Sequence, residues 1–332
     1  MVNDARWMLK IRISETYNQQ MHKQESTKIK SIKLRLFLNC FTNIVNRNII
    51  KVLLLFILGS TSFITSAQDS TFSVITFNVR YDNPGDAENN WHYRKQDIVA
   101  FIEHEHPDIL GIQEGLFHQV TYLDSALTSY QYVGVGRDDG KTAGEFSPIF
   151  YDTTKVRLLQ QGTFWLSLTP DTPSIGWDAA LPRICTYAQF RSIATSDTFW
   201  VYNTHFDHVG ELARKLSAAL LYIKSRELHV PELSQPIIIM GDMNSKPDDV
   251  PYTLIAHFFA DTRKTSLHKP GGPEATFNGF SRITTESPRI DYIFVHQCIT
   301  IDQQHLPATT ANGLWLSDHF PVSATLQLKR NN

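Results

Sequence analysis

Asp318-His319, within Ser317-Asp318-His319-Phe320-Pro321-Val322, is the last of a widely spaced set of polar clusters that border apolar runs. The others are Thr76-Phe77-Asn78, Gln113-Glu114, Asn203-Thr204-His205, Gly241-Asp242-Met243-Asn244 and Arg289-Ile290-Asp291-Tyr292. Carboxylates, amides and imidazoles in this mixture are the groups that bind a hard cation, hold a water and neutralise developing charge, so they describe a metal-assisted hydrolase. Glu114 closes an apolar strand with no long basic residue beside it, which suits a divalent ion with oxygen ligands; the bland alternative is a cap for a helix starting near Leu116. Asp242 and Asn244 are two residues apart and fall on the same side of an extended segment, as they would in a simple Asx turn. Asn78, taken alone, reads as a turn former. No nucleophile cluster accompanies these motifs, so attack by water is expected rather than a covalent phospho-enzyme.

The elements that must carry these residues follow an alternating α/β pattern. Strands are expected at about 72–78, 109–113, 236–241, 290–296, 298–303 and 321–328, each a short apolar run bounded by turn residues. Helices are expected from Trp91 to His104, over 116–127 and over 209–226, the last with Leu212, Leu216, Ala219, Leu220 and Ile223 on its apolar face. Runs near 130–136, 147–151, 155–167, 182–192 and 198–205 read as an antiparallel meander.

The order and spacing of the polar clusters resemble the endonuclease/exonuclease/phosphatase superfamily, the DNase I-like group, from Phe72 to Leu328. The resemblance implies an α/β fold, a four-layer α/β/β/α sandwich in which two mixed β-sheets pack face to face with helices outside. It also implies site roles. Glu114 matches the principal metal ligand, Asn78 the residue that helps hold the metal and the catalytic carboxylate, and Asp318 a second metal ligand or its partner. Asp242 matches the group that orients or deprotonates the attacking water, and Asn244 the donor to a phosphoryl oxygen. Asp291 and His319 match a carboxylate–imidazole pair in which the carboxylate fixes the tautomer and supports the protonated ring. His205 matches a contact to phosphoryl oxygens or an acid for the leaving oxygen, and it leans the reading away from the DNA-repair branch. His208 is either a site residue or a cap for the following helix. Arg183, in Pro182-Arg183-Ile184-Cys185-Thr186, resembles an arginine that reaches substrate phosphate in some branches. The implied cofactor is Mg²⁺, with Mn²⁺ as a substitute.

Several further clusters compete with bland roles. Arg137-Asp138-Asp139-Gly140-Lys141 and Gly144-Glu145-Phe146 are expected at the cleft rim, or as a solvated loop. Asn89-Asn90-Trp91 opens a helix whose free N–H groups favour anions. Trp165, Trp177 and Tyr187 either line the cleft or belong to the core.

Composition sets the outer bounds. An apolar fraction of 42% over 332 residues supports a large buried core. Residues 1–50 carry nine Lys/Arg against three Asp/Glu, and Val52-Leu53-Leu54-Leu55-Phe56-Ile57-Leu58 then leads to Thr65-Ser66-Ala67. That is the layout of a signal peptide cleaved after Ala67, with a leader over 1–67, a catalytic domain over 68–332 and a start codon that can lie downstream of Met1. The apolar run is shorter than the roughly 20 residues of a membrane anchor. A secreted or periplasmic, bacterial-type protein is therefore expected. Cys185 and Cys298 are expected as buried thiols, although such a compartment permits a disulfide between them. Beyond residue 67 the chain has 21 Lys/Arg against 30 Asp/Glu, a formal charge of −9 with no basic run. Affinity for duplex nucleic acid comes largely from phosphate neutralisation, so a small or singly phosphorylated substrate is expected: a sugar, inositol or lipid headgroup. No stable protein partner is evident. The alternatives are a secreted nuclease of the same fold and a non-catalytic scaffold.

Overall fold

A computed structural model describes residues 71–227, 235–281 and 287–329. The leader expected over 1–67 lies outside them. The chain forms strands β1 (Thr71–Asn78), β2 (Ile109–Gln113), β3 (Gly115–Leu116), β4 (Tyr130–Val133), β5 (Glu145–Phe146), β6 (Ile149–Asp152) and β7 (Val156–Trp165). These are followed by β8 (Ile184–Ser192), β9 (Thr198–His205), β10 (Ile237–Asp242), β11 (Ala260–Asp261), β12 (Asp291–His296), β13 (Cys298–His305) and β14 (Val322–Leu328). The helices are α1 (Trp91–Glu105), α2 (Phe117–Ala126), α3 (Glu211–Glu227), α4 (Val250–Phe258) and the short α5 (Thr262–Thr265).

Two six-stranded sheets result, in the orders β13-β14-β1-β2-β6-β4 and β11-β12-β10-β9-β8-β7. Each is mixed, because β1 runs parallel to β2 and β9 parallel to β10 while the other pairs are antiparallel. The central strands are apolar at successive positions because both of their faces are covered. In β10, Ile238 and Met240 point into the layer between the sheets, where Val74, Ile109, Val201 and Ala324 meet them. Ile237 and Ile239 point the other way, onto Ala218 and Leu221 of α3 and Tyr252 and Ile255 of α4. On the opposite side Ile75, Phe77, Leu110 and Ile112 pack under Ile98 and Ile102 of α1 and Val120 and Leu123 of α2. Helix, sheet, sheet and helix are thus stacked, which is the expected sandwich.

Three expectations need correction. The supposed meander divides between the sheets, β4 and β6 joining β2 while β7, β8 and β9 form one side of the second sheet. The face of α3 is turned from the expected one: Ala213, Ser217, Ala218, Leu221 and Ser225 are buried, whereas Leu212 and Ile223 are exposed. Small residues let α3 lie close to its neighbours, and Tyr222 stacks on Phe258 of α4 with ring centroids 3.7 Å apart. Helix α4 has no counterpart in the sequence reading, although Asp249 followed by Pro251 is a common helix opening. Cys185 and Cys298 are both buried free thiols, and they belong to different core layers.

At one end the sheets are tied by polar groups instead of apolar ones. Gln113 Nε2 donates to Asn203 Oδ1 at 2.6 Å, and Asn203 Nδ2 donates to the carbonyls of Ile112 and Pro148, both at 2.8 Å. All of these groups are buried, so the pairing is worth most where it excludes water. Gly111 permits the approach, since a Cβ there would sit 2.7 Å from Met240 Cε and 2.8 Å from Asn203 Cγ. Arg94 adds a second tie: fully buried, it donates through Nη1 to the carbonyls of Val79 and Leu316, so the segment after β1 and the segment before β14 share one anchor. Burial pushes this guanidinium down to about 10; its Nε and Nη1 donate to carbonyls, while Nη2 is buried without a partner.

Candidate active site

The polar clusters meet at that tied end because of strand register. Asn78 lies opposite Gln113 in the first sheet, which brings Glu114 beside it. Asp242 lies opposite both His205 and Asp291 in the second. Ser317-Asp318-His319 enters just before β14 and reaches across to both. The backbone is bent where these side chains are presented: Arg80, Glu114 and Asn244 have φ of 60°, 64° and 45°, conformations that cost a non-glycine residue about 1–3 kcal/mol. Gly241, at φ 140°, precedes Asp242. A side chain there would collide with the backbone of Thr204.

The floor of the cleft is a connected set of contacts. Asn78 Nδ2 donates to Glu114 Oε1 at 3.0 Å and to Asp242 Oδ2 at 3.1 Å, and it lies 3.5 Å from His319 Nε2. The Asn78 oxygen accepts from the Arg80 N–H at 3.0 Å, so the amide turns its donors toward the carboxylates and orients them. Glu114 Oε2 accepts from the Tyr81 N–H at 3.1 Å. That holds the carboxylate in the cleft, with no part in opening α2. Asp242 Oδ1 accepts from the Asn244 N–H at 2.9 Å, while Asn244 Nδ2 lies 3.2 Å from His205 Nε2. His319 Nδ1 lies 2.9 Å from Asp291 Oδ2, and its Nε2 lies 3.7 Å from Asp242 Oδ2. Asp318 accepts from Ser317 Oγ at 3.2 Å and lies 3.7 Å from Arg80 Nη1.

Electrostatics separate these groups into roles. Burial and the nearby Asp291 carboxylate push Asp242 up to about 7. Burial alone would lower His319, but Asp291 and then Asp242 override it and hold the ring well above the usual histidine range. His205 goes the other way: burial, then the Arg183 and Arg137 guanidinium groups, keep it well below that range. One imidazole is therefore pushed toward the charged form and the other toward the neutral one.

The cleft above this floor has a volume of about 680 Å³ and is lined by Arg80, Tyr81, Glu114, Glu145, Arg183, His205, His208, Asp242, Asn244, Lys246, Phe277, Asp318 and His319, among others. Asp291 stands behind His319. Arg183 lies at the edge, donating through Nε to Asp207 at 3.2 Å and through Nη2 to His208 Nδ1 at 2.9 Å, while its buried Nη1 has no hydrogen-bond partner. Helix capping at the start of α3 falls to other residues: Asp207 Oδ1 accepts from Gly210 N at 2.7 Å, and Asp178 Oδ1 accepts from Ala213 N at 2.6 Å.

Some residues come to the site that the sequence reading did not single out. Arg80 is the second residue after Asn78 and forms a two-bond pair with Asp86. Glu145, read only as part of a rim loop, lies 3.8 Å from His205 Nδ1 and is gripped by Arg137 at 2.7 and 2.9 Å. Phe277 meets the ring of His319 edge to face at 5.0 Å. Nothing in the residue pattern marks Phe277, which arrives through an isolated bridge to His319. Conversely, the opening of α1 is absent from the cleft lining. Trp165 is buried with its indole N–H on the Arg137 carbonyl, and Tyr187 stacks beside Trp200 and Tyr202; both belong to the core, and Trp177 does not line the cleft.

The donor set fits a divalent cation. Ligand atoms of Glu114, His205 and Asp242 lie within 4.8 Å of one another, and so do those of Asp242, Asp291 and His319. Asp242 and Asp318 are both raised above the usual carboxylate range, by burial first, and Glu114 adds like-charge repulsion to each. A cation among them would relieve that repulsion.

The endonuclease/exonuclease/phosphatase family model matches residues 75–319, and the chain belongs to this family, whose members are hydrolases that include phosphatases and nucleases. It is similar to an endonuclease/exonuclease/phosphatase from Bacteroides vulgatus, with 42% identity and a TM-score of 0.74, covering 78% of this chain and 100% of that one. It is also similar to a mannosyl-6-phosphatase from Bacteroides thetaiotaomicron, with 36% identity and a TM-score of 0.73 over 77% of this chain and 99% of that one. An uncharacterised protein of Acanthamoeba polyphaga mimivirus is 32% identical over 164 residues, 47% of this chain and 59% of that protein. The chain thus spans less than two thirds of this viral relative.

Proposed function

We propose that the protein is a Mg²⁺-dependent phosphoester hydrolase acting on a small phosphorylated molecule, a sugar phosphate above all. The observation that carries this reading is the convergence of Glu114, Asp242 and a charged His319 on one floor, with the spare Nη1 of Arg183 beside it. The formal charge of −9 beyond residue 67 argues against a long polyanion, and the likeness to a mannosyl-6-phosphatase supports a hexose phosphate.

Glu114 would hold the metal ion, with Asp242 and His205 near enough to share it and Asn78 orienting the carboxylates. Bound there, a divalent ion would supply Lewis-acid polarisation of a phosphoryl oxygen. The remaining work falls to the chain. Asp242 takes a proton from a water aimed at phosphorus, in line with the ester oxygen. Asn244 and neutral His205 hold phosphoryl oxygens by hydrogen bonds. His319, kept charged by Asp291, stabilises the negative charge that builds as the ester bond breaks, and the departing oxygen takes a proton from solvent and leaves as the alcohol while Asp242 gives its proton back to solvent.

Turnover of mannose 6-phosphate, an inositol phosphate, a nucleoside monophosphate, a choline phospholipid and single-stranded DNA, each with Mg²⁺, tests the substrate class. Mannose 6-phosphate is expected to be the best of the five; DNA as the best substrate would establish the nuclease reading instead. Glu114→Gln replaces an anionic ligand with a neutral amide, so the Mg²⁺ concentration for half-maximal activity should rise at least about tenfold, the order expected when a carboxylate ligand loses its charge. An unchanged metal titration would remove Glu114 from the metal site.

A further inference from the structure

The roles assigned above leave His208 unused, although it is exposed at the cleft mouth and lines it. Its tautomer is fixed by its neighbour. Arg183 lies 2.9 Å from His208 Nδ1 through Nη2, and a guanidinium can donate but never accept. His208 Nδ1 is therefore the acceptor, and the ring is neutral with its proton on Nε2. The arrangement is held firmly. Arg183 is 4% exposed and pinned through Nε by Asp207, and Asp207 is itself clamped by the N–H groups of Val209 and Gly210 at 3.0 and 2.7 Å.

The position matters as much as the proton. His205, three residues earlier, sits on the floor with 7% exposure, while His208 is exposed at the mouth of the same cleft. His208 lines the same cleft as His205, Asn244 and His319 and is the exposed one of the four, so the alcohol of a phosphoester seated on the other three meets His208 where it faces solvent. The neutral N–H that His208 presents matches an uncharged oxygen of the alcohol. We propose that His208 is a specificity-determining residue that donates from Nε2 to a hydroxyl or ring oxygen of the leaving alcohol, so that the cleft favours phosphomonoesters of polyhydroxylated alcohols over those of plain aryl or alkyl alcohols. This rests on the phosphoester reading of the floor.

The test compares mannose 6-phosphate with phenyl phosphate, which carries the same phosphoryl group and no hydroxyl. His208→Phe keeps a planar ring and removes the donor, and His208→Gln offers an amide N–H near the place of Nε2. The ratio of kcat/KM for mannose 6-phosphate to that for phenyl phosphate should fall about tenfold in the Phe variant, the worth of one strong hydrogen bond, and return to within about threefold of wild type in the Gln variant. An unchanged ratio, or equal losses on both substrates, would show that His208 serves the phosphoryl group or only braces Arg183, and would overturn the inference while leaving the phosphoester reading in place. A wild-type protein that hydrolyses neither compound would overturn both.

Discussion

Asp242→Asn is expected to lower kcat by about three orders of magnitude, the scale on which a positioned general base contributes, while the melting temperature of the metal-free protein falls by less than one broken buried hydrogen bond would cost. The carboxylate receives N–H groups on both oxygens, from Asn78 at 3.1 Å and from Asn244 at 2.9 Å. An asparagine there must turn its own NH₂ toward one of these donors, and it has no basic oxygen left for a water proton. The stability half of the result follows from burial. Asp242 is raised to about 7 in the folded protein, by desolvation and then by Asp291. A carboxylate raised above its unfolded value costs stability as pH climbs past that unfolded value, and a neutral amide escapes this cost. Kinetics with saturating substrate and a thermal melt in EDTA read both halves. A loss smaller than tenfold would take Asp242 out of the water-activating role.

Asp291→Asn and His319→Ala are expected to cost about 10² to 10³ in kcat/KM each, and the double variant little more than the worse single one, because the two side chains act as a unit. The 2.9 Å contact to Asp291 is the shortest that His319 makes, and Asp291 is the largest influence raising the ring. Removing that charge lowers the His319 pKa. If the charged ring is the active form, rate falls as pH rises through that value, so the alkaline limb of the pH–rate profile should move to lower pH in Asp291→Asn. Multiplicative losses and an unmoved limb would mean that His319 depends on another partner.

Most of the candidate site could be read from the chain because a strand covered on both faces is apolar at every position and its polar end stands out. Ile237-Ile238-Ile239-Met240 followed by Gly241-Asp242 is the clearest case, although its register opposite His205 and Asp291 is set by pairing that the residues do not show. What could not be read depends on distant pairing or on close packing. The buried face of α3 is chosen by how near it must come to α4, so Ser217 and Ala218 are turned inward where the apolar count favoured Leu212 and Ile223. Phe277 carries no local mark and Glu145 only that of a rim loop, since one is defined by His319 and the other by Arg137 and His205. The exits of Arg80 and Glu114 at positive φ break the preferences of their residue types, as residues at working sites often do.

The pairing of β1 with β14 joins Thr71 to Gln327, and β14 also stands between β1 and β13. During synthesis the first sheet therefore waits, with the edge of β1 open, until β14 has emerged, and Asp318 and His319 arrive only with that strand. The second sheet can assemble from β7 to β12 well before this, but it holds only part of the floor. Hydrolytic activity is then a late event in folding, and it reports the meeting of the two ends of the domain. Such long-range closure is slow compared with local pairing, so the chain spends its nascent life without a working cleft.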